Sequence, residues 1–88
     1  MSGKEHIRAS AELRGKGKFK EAIAVIEENR ASFDDVTTVP ALLQAFYAAR
    51  QAGDPEKARE IALQLEEFDP EIPSIRAFLS EDDAPPTK

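Results

Sequence analysis

Eighty-eight residues, 41% of them hydrophobic and none of them cysteine, bound the chain to one small domain held by packed apolar side chains, without disulfides or thiolate metal sites. The formal charge of −5 argues against a general nucleic-acid binder, although residues 1–20 carry six Lys/Arg against two Glu, a local +4 that leaves −9 elsewhere. No stretch approaches the roughly 20 apolar residues of a membrane span. The start of the chain leads into no apolar run of signal-peptide length, so a soluble, cytoplasmic protein without a membrane partner is expected.

In chain order, helical spacing first covers about residues 4–15, on a thin apolar set of Ile7, Ala9, Ala11 and Leu13. The second helix, about 18–32, gathers Phe19, Ala22, Ile23, Val25 and Ile26 on one broad stripe, with Lys20, Glu21, Glu27 and Glu28 opposite. Lys18 and Lys20 stand near its start, where the helix dipole disfavours cations. Residues 33–38 read as a loop, with Phe33, Val36 and Val39 expected to seal the junction it makes. Thr37 or Thr38 is the expected N-cap of a third helix, because Pro40 must fall in its first turn. Val39, Leu42, Leu43, Ala45, Phe46 and Ala49 then face inward, and Gly53 ends the helix at a left-handed position. Asp54 as N-cap and Pro55 as first helical residue open a fourth helix, about 55–68, whose inward set is Ala58, Ile61, Ala62, Leu65 and Phe68. Asp69-Pro70 interrupts again, and Pro73 starts a short fifth helix, to about residue 80, with Ile75, Phe78 and Leu79 on its apolar face. The acidic, Pro-containing residues 81–88 are expected to be disordered.

Two of these segments repeat one another. Gly17-Lys18-Phe19-Lys20-Glu21-Ala22 aligns with Gly53-Asp54-Pro55-Glu56-Lys57-Ala58, with the two Ala 36 residues apart. The unit, helix-turn-helix, resembles the tetratricopeptide repeat, whose length is about 34 residues. The second unit, about 39–72, carries the resemblance through Leu42, Ala45, Gly53-Asp54, Ala58, Leu65 and Asp69-Pro70. The first, about 3–36, is a looser copy that keeps Leu13, Gly17, Phe19, Ala22 and Ile26 but has Asp34 where the family ends its unit in proline. Phe46 departs from the pattern, standing where the family prefers a small residue. The resemblance implies an all-α domain over residues 1–80, with antiparallel helix-turn-helix repeats stacked as a short right-handed α–α superhelix and residues 73–80 as the capping helix. An irregular bundle of four or five helices remains the other architecture open to this pattern. The family binds extended or helical peptides on the concave face, which by matched position implicates Ile7, Ala11 and Arg14 in the first unit and Leu43, Tyr47 and Arg50 in the second. A clamp for a peptide's C-terminal carboxylate is not implied, because Ile7, Ala11 and Gln44 occupy its positions.

Reactive side chains do not converge in the sequence. His6 is the only histidine and reads as a solvent-facing helix residue; the pairs Glu27-Glu28 and Glu66-Glu67 spread around their helices. Gly15-Lys16-Gly17-Lys18 lacks both the spacing and the Ser/Thr of a phosphate loop. No enzyme activity, metal or cofactor is expected. Lys4, Arg8, Lys16, Lys18 and Lys20, with Arg14, form a basic set that reads as either a solvated turn or an anion patch. The expected function is therefore a protein-protein interaction module, an adaptor or co-chaperone-like scaffold, holding a peptide in a groove with Tyr47 as its anchor. Behind it stand a self-associating structural protein, a homodimer, and an anion binder; nucleic acid is disfavoured by the −9 carried elsewhere.

Overall fold

The structure, a computed structural model, describes residues 3–83, with side chains described through Ser80. The described residues form α1 (Gly3–Gly15), α2 (Phe19–Glu28), a 3-10 turn (Arg30–Ser32), α3 (Thr38–Gln51), α4 (Pro55–Phe68) and α5 (Pro73–Asp83). The chain is all-α over this range, without a strand.

Both interhelical turns are the same device. Gly17 has φ 79° and Gly53 has φ 74°, the left-handed conformation that a side chain disfavours. At the first turn Gly17 N–H donates to Arg14 O (3.1 Å) and Lys18 N–H to Leu13 O (2.8 Å). At the second, Gly53 N–H donates to Arg50 O (3.1 Å) and Asp54 N–H to Ala49 O (3.0 Å). This bond pair satisfies the last carbonyls of the helix and reverses the chain within three residues. The starts of the following helices differ. Asp54 accepts from Lys57 N–H (3.1 Å) ahead of Pro55, whereas Lys18 makes no side-chain cap for α2.

The α2 helix is shorter than its pattern predicts. Asn29 leaves the helical path, and its Nδ2 donates to Val25 O at 2.7 Å, giving a terminal carbonyl a partner outside the ladder. A single 3-10 turn follows. Asp34, not Thr37, then organises the start of α3: its Oδ1 accepts from Val36 N–H (3.0 Å), Thr37 N–H (2.9 Å) and Thr37 Oγ1 (2.9 Å). Thr37 Oγ1 accepts in return from Asp34 N–H (2.9 Å), and Thr38 Oγ1 donates to Asp34 O (2.7 Å). Thr37 occupies the N-cap position, and its carbonyl accepts from Ala41 N–H (3.0 Å), but its side chain makes no cap bond to the first helical turn. The bonds from Thr37 and Val36 hold the Asp34 carboxyl below the usual carboxylate range.

The core runs along α3. Ala41, Leu42, Ala45, Phe46, Ala48 and Ala49 are all buried, joined by Ala22, Ile23 and Ile26 from α2, Ala58, Ile61, Ala62 and Leu65 from α4, and Ile75 and Leu79 from α5. Alanine at the contacts lets backbones approach closely, and α3 accordingly packs on α1, α2 and α4, while α4 also carries α5. The molecule measures 49 × 27 × 17 Å, an elongated body about two helix layers thick. Helix α2 and the 3-10 turn after it are linked to α4 by long polar side chains: Lys57 Nζ donates to Glu27 Oε2 at 2.6 Å, and Arg30 Nη1 to Gln64 Oε1.

Several expectations are corrected. The buried residues of α1 are Gly3 and Ser10, while Ile7, Ala9, Ala11 and Leu13 are only half-buried, Ile7 and Leu13 packing against the core from its edge. Ser10 Oγ donates to Ala22 O at 2.9 Å, and a Cβ on Gly3 would meet Phe33 Cδ1 at 2.7 Å. Small residues therefore set how near α1 lies. His6 is half-buried, edge-on to the Phe33 ring at 6.1 Å between centroids. Val36 does not seal a junction: it is 75% exposed at the tip of the Asp34-centred turn. Phe68, the last residue of α4, is 52% exposed and does not join the inward set of that helix. Residues 81–83, expected in a disordered tail, continue α5, since nothing in Glu81-Asp82-Asp83 breaks a helix and the first proline is Pro85. Residues 84–88 lie outside the described range.

Candidate functional site

The turn geometry places Arg14 and Arg50 in matching positions, each three residues before its left-handed glycine. Both side chains find aromatic rings. The Arg14 guanidinium carbon lies 5.4 Å from the centroid of Tyr47. That of Arg50 lies 5.8 Å from Phe46 and 5.3 Å from Phe78. Each separation is within cation–π range.

The rings form a cluster. Phe46 meets Phe78 edge-on (5.1 Å, 84°) and Tyr47 at a tilt (5.6 Å, 60°). The Tyr47 hydroxyl reaches Ser74 Oγ at 3.5 Å, a long contact that ties α3 to the first turn of α5. Helix α5 thereby supplies one side of the site, α1 the other and α3 the floor.

Arg14, Tyr47, Arg50 and Gln51 line an open depression of about 370 Å³. A second recess of about 220 Å³ adjoins it across Arg50, lined also by Gly53, Asp54, Pro55, Ala58 and Phe78. Of the six residues assigned to the concave face, the depression unites Arg14, Tyr47 and Arg50. Ile7, Ala11 and Leu43 are half-buried and do not line it, with Ile7 and Leu43 packed against the core. Gln51, Ser74 and Phe78 were not predictable as site residues, because they reach it only through the packing of α5 and the end of α3.

Of the basic set, Lys4, Arg8, Lys16, Lys18 and Lys20 are exposed. Lys18 and Lys20 border a hollow of about 480 Å³ with Phe19, Glu21 and Gln51, the last of which it shares with the depression. Lys20 also borders a smaller one that contains Glu27, Asp54 and Lys57. The Lys57 pKa is raised above the ordinary lysine value by its hydrogen bond to Glu27. Among the described residues, the buried Gln44 Oε1 on α3 has no hydrogen-bond partner.

Among the described residues no group of three or more His, Cys, Asp or Glu could hold a metal ion. No described helix is long and apolar enough to cross a membrane. Compared with protein-family models, curated proteins and solved structures, the chain matches none of them.

Proposed function

We propose that this chain is a non-catalytic interaction module of the tetratricopeptide type, an adaptor or co-chaperone-like scaffold acting in the cytoplasm, that receives a peptide or protein segment on the face built by α1, α3 and α5. The observation that carries this reading is the convergence of Arg14, Tyr47 and Arg50 at one depression from two helices. The repeat supports it, since two turns 36 residues apart share glycine conformation and bonding pattern. In such arrays each unit buries its face against a neighbour, and α5 covers α4 as a terminal helix should. Tyr47 offers a large flat surface with few rotatable bonds and a hydroxyl for orientation, the features that mark anchor residues at interfaces.

The test is affinity. A partner co-purified from the native host, measured by calorimetry against the wild-type chain and the Tyr47→Ala, Arg50→Glu double variant, is expected to bind the variant at least about a hundredfold more weakly, as loss of two anchors implies. Unchanged affinity with intact helical circular dichroism removes the groove assignment.

Self-association is the competing reading, favoured by two exposed apolar side chains on α4, Leu63 at 43% and Phe68 at 52%. Five positions apart on a helix, they do not share a face, so they make no single contact patch. Light scattering over a dilution series separates the two readings: a concentration-independent monomer is expected, and a dimer that dissociates on dilution overturns that expectation.

A further inference from the structure

The two guanidinium groups at the depression are positioned but not occupied. Among the described residues neither the Arg14 nor the Arg50 side chain makes a hydrogen bond or an ion pair, whereas Arg30 meets Gln64, Arg76 meets Glu71 and Lys57 meets Glu27. A guanidinium set over a ring uses its face and keeps its N–H fork for an acceptor in its plane. The ring contacts also restrict where each group can be, so less freedom is lost when an acceptor arrives. The other lining side chains, Tyr47 and Gln51, are neutral and can each donate a hydrogen bond. The acidic side chain lining the adjoining recess, Asp54, is engaged as the cap of α4.

We infer that the Arg14–Arg50 depression selects a peptide segment carrying adjacent carboxylates, with an acidic side chain held by the two guanidinium forks and apolar neighbours laid against Tyr47 and Phe78. The inference rests on the proposed groove and names its occupant. Charge complementarity fits a short acidic segment better than a long polyanion. The −9 outside the first twenty residues repels an extended nucleic acid, but beyond about 8 Å it is largely screened for a single carboxylate at contact distance. Contact with two forks is short-range and bidentate, the geometry in which Arg differs from Lys.

The experiment uses the full chain, labelled with nitrogen-15, and short synthetic peptides identical except for Glu/Asp, Gln/Asn or Lys/Arg at the same positions, around a fixed Leu and Phe. Affinity is read by fluorescence anisotropy and location by amide and arginine side-chain shifts. The acidic peptide is expected to bind at least roughly tenfold more tightly than the neutral one, the effect of a single charge-assisted contact, and to shift Tyr47, Arg14 and Arg50. Arg14→Gln with Arg50→Gln abolishes the preference, and Arg14→Lys with Arg50→Lys restores only part of it, because charge returns without the fork. Lys16→Gln with Lys18→Gln and Lys20→Gln leaves it in place. A neutral peptide that binds as tightly in the same groove overturns carboxylate selection and leaves the groove reading standing. An acidic peptide that shifts Lys16 to Lys20 but not Tyr47 overturns both. No binding of the acidic peptide overturns the inference, while affinity for the co-purified partner decides the groove independently.

Discussion

The first helical pair, α1 with α2, and the second, α3 with α4, turn through the same backbone geometry and pack by different means. Gly17 and Gly53 adopt nearly the same φ and close the same two hydrogen bonds. Around that shared turn the side chains diverge. At matching positions 36 residues apart, Ser10 is buried by donating to Ala22 O, while Phe46 is buried among aromatic rings and the core of α3. α1 buries no large apolar side chain, and α3 buries six apolar residues. The repeat is thus conserved in its turn, where backbone conformation permits few residues, and free to vary in its packing, where either a small hydrogen-bonding residue or a large ring fills the space.

The largest break in that comparison is expected at the matched pair itself. Phe46→Ala opens a cavity in the fully buried centre and should cost about 3–5 kcal/mol, whereas Ser10→Ala removes one hydrogen bond and should cost about 1 kcal/mol. Urea denaturation of both variants measures the gap, and equal losses would mean that α1 is as central to stability as α3. The shared turns should instead respond alike. Gly17→Ala and Gly53→Ala each force a side chain into the left-handed region, at about 1–2 kcal/mol, with nothing within 4 Å of the added carbon at either site to distinguish them. Thermal melts that differ widely between these two variants would break the equivalence of the turns.

The capping contrast predicts opposite signs. Asp54→Ala removes the bond to Lys57 N–H and should destabilise by about 1 kcal/mol, while Lys18→Asp adds the missing cap at the start of α2 and should stabilise by about 0.5–1 kcal/mol. A Lys18→Asp variant that melts lower than wild type would show the first turn to be built differently from the second. The smallest effect concerns pH. Asp34 is held below its ordinary pKa by Thr37 and Val36, so its contribution is complete above the unfolded value, near pH 4, and is lost as pH falls through the lower folded value. Asp34→Ala should therefore lower stability at pH 7 and flatten its decline toward pH 3, as read from urea midpoints. A decline as steep as in wild type would place the acid sensitivity elsewhere.

Local chemistry made much of the fold legible. Asp54-Pro55 and Phe68 before Asp69-Pro70 bound α4 as the pattern predicts, and the glycine at 53 stops α3 as expected. The α2 boundary was less legible, because Asn29 back-bonding to Val25 O ends a helix whose apolar spacing continues. At the depression, Tyr47 and the matched arginines were positions that the family resemblance implied. Their aromatic partners were not: Arg50 meets Phe78 from 28 positions away, and Arg14 meets Tyr47 from 33.

By itself the sequence determined both ends of α4, the stop of α3 and the two matching glycine turns, because proline, left-handed glycine and side-chain caps act over a few residues of backbone. Only the tertiary structure decided that Gly3 and Ser10 are the buried residues of α1, that Phe68 stays exposed, and that two guanidinium groups set against aromatic rings share one depression beside Tyr47. Those outcomes depend on which distant side chains fill the space between helices, and periodicity within a single helix carries no record of its neighbours.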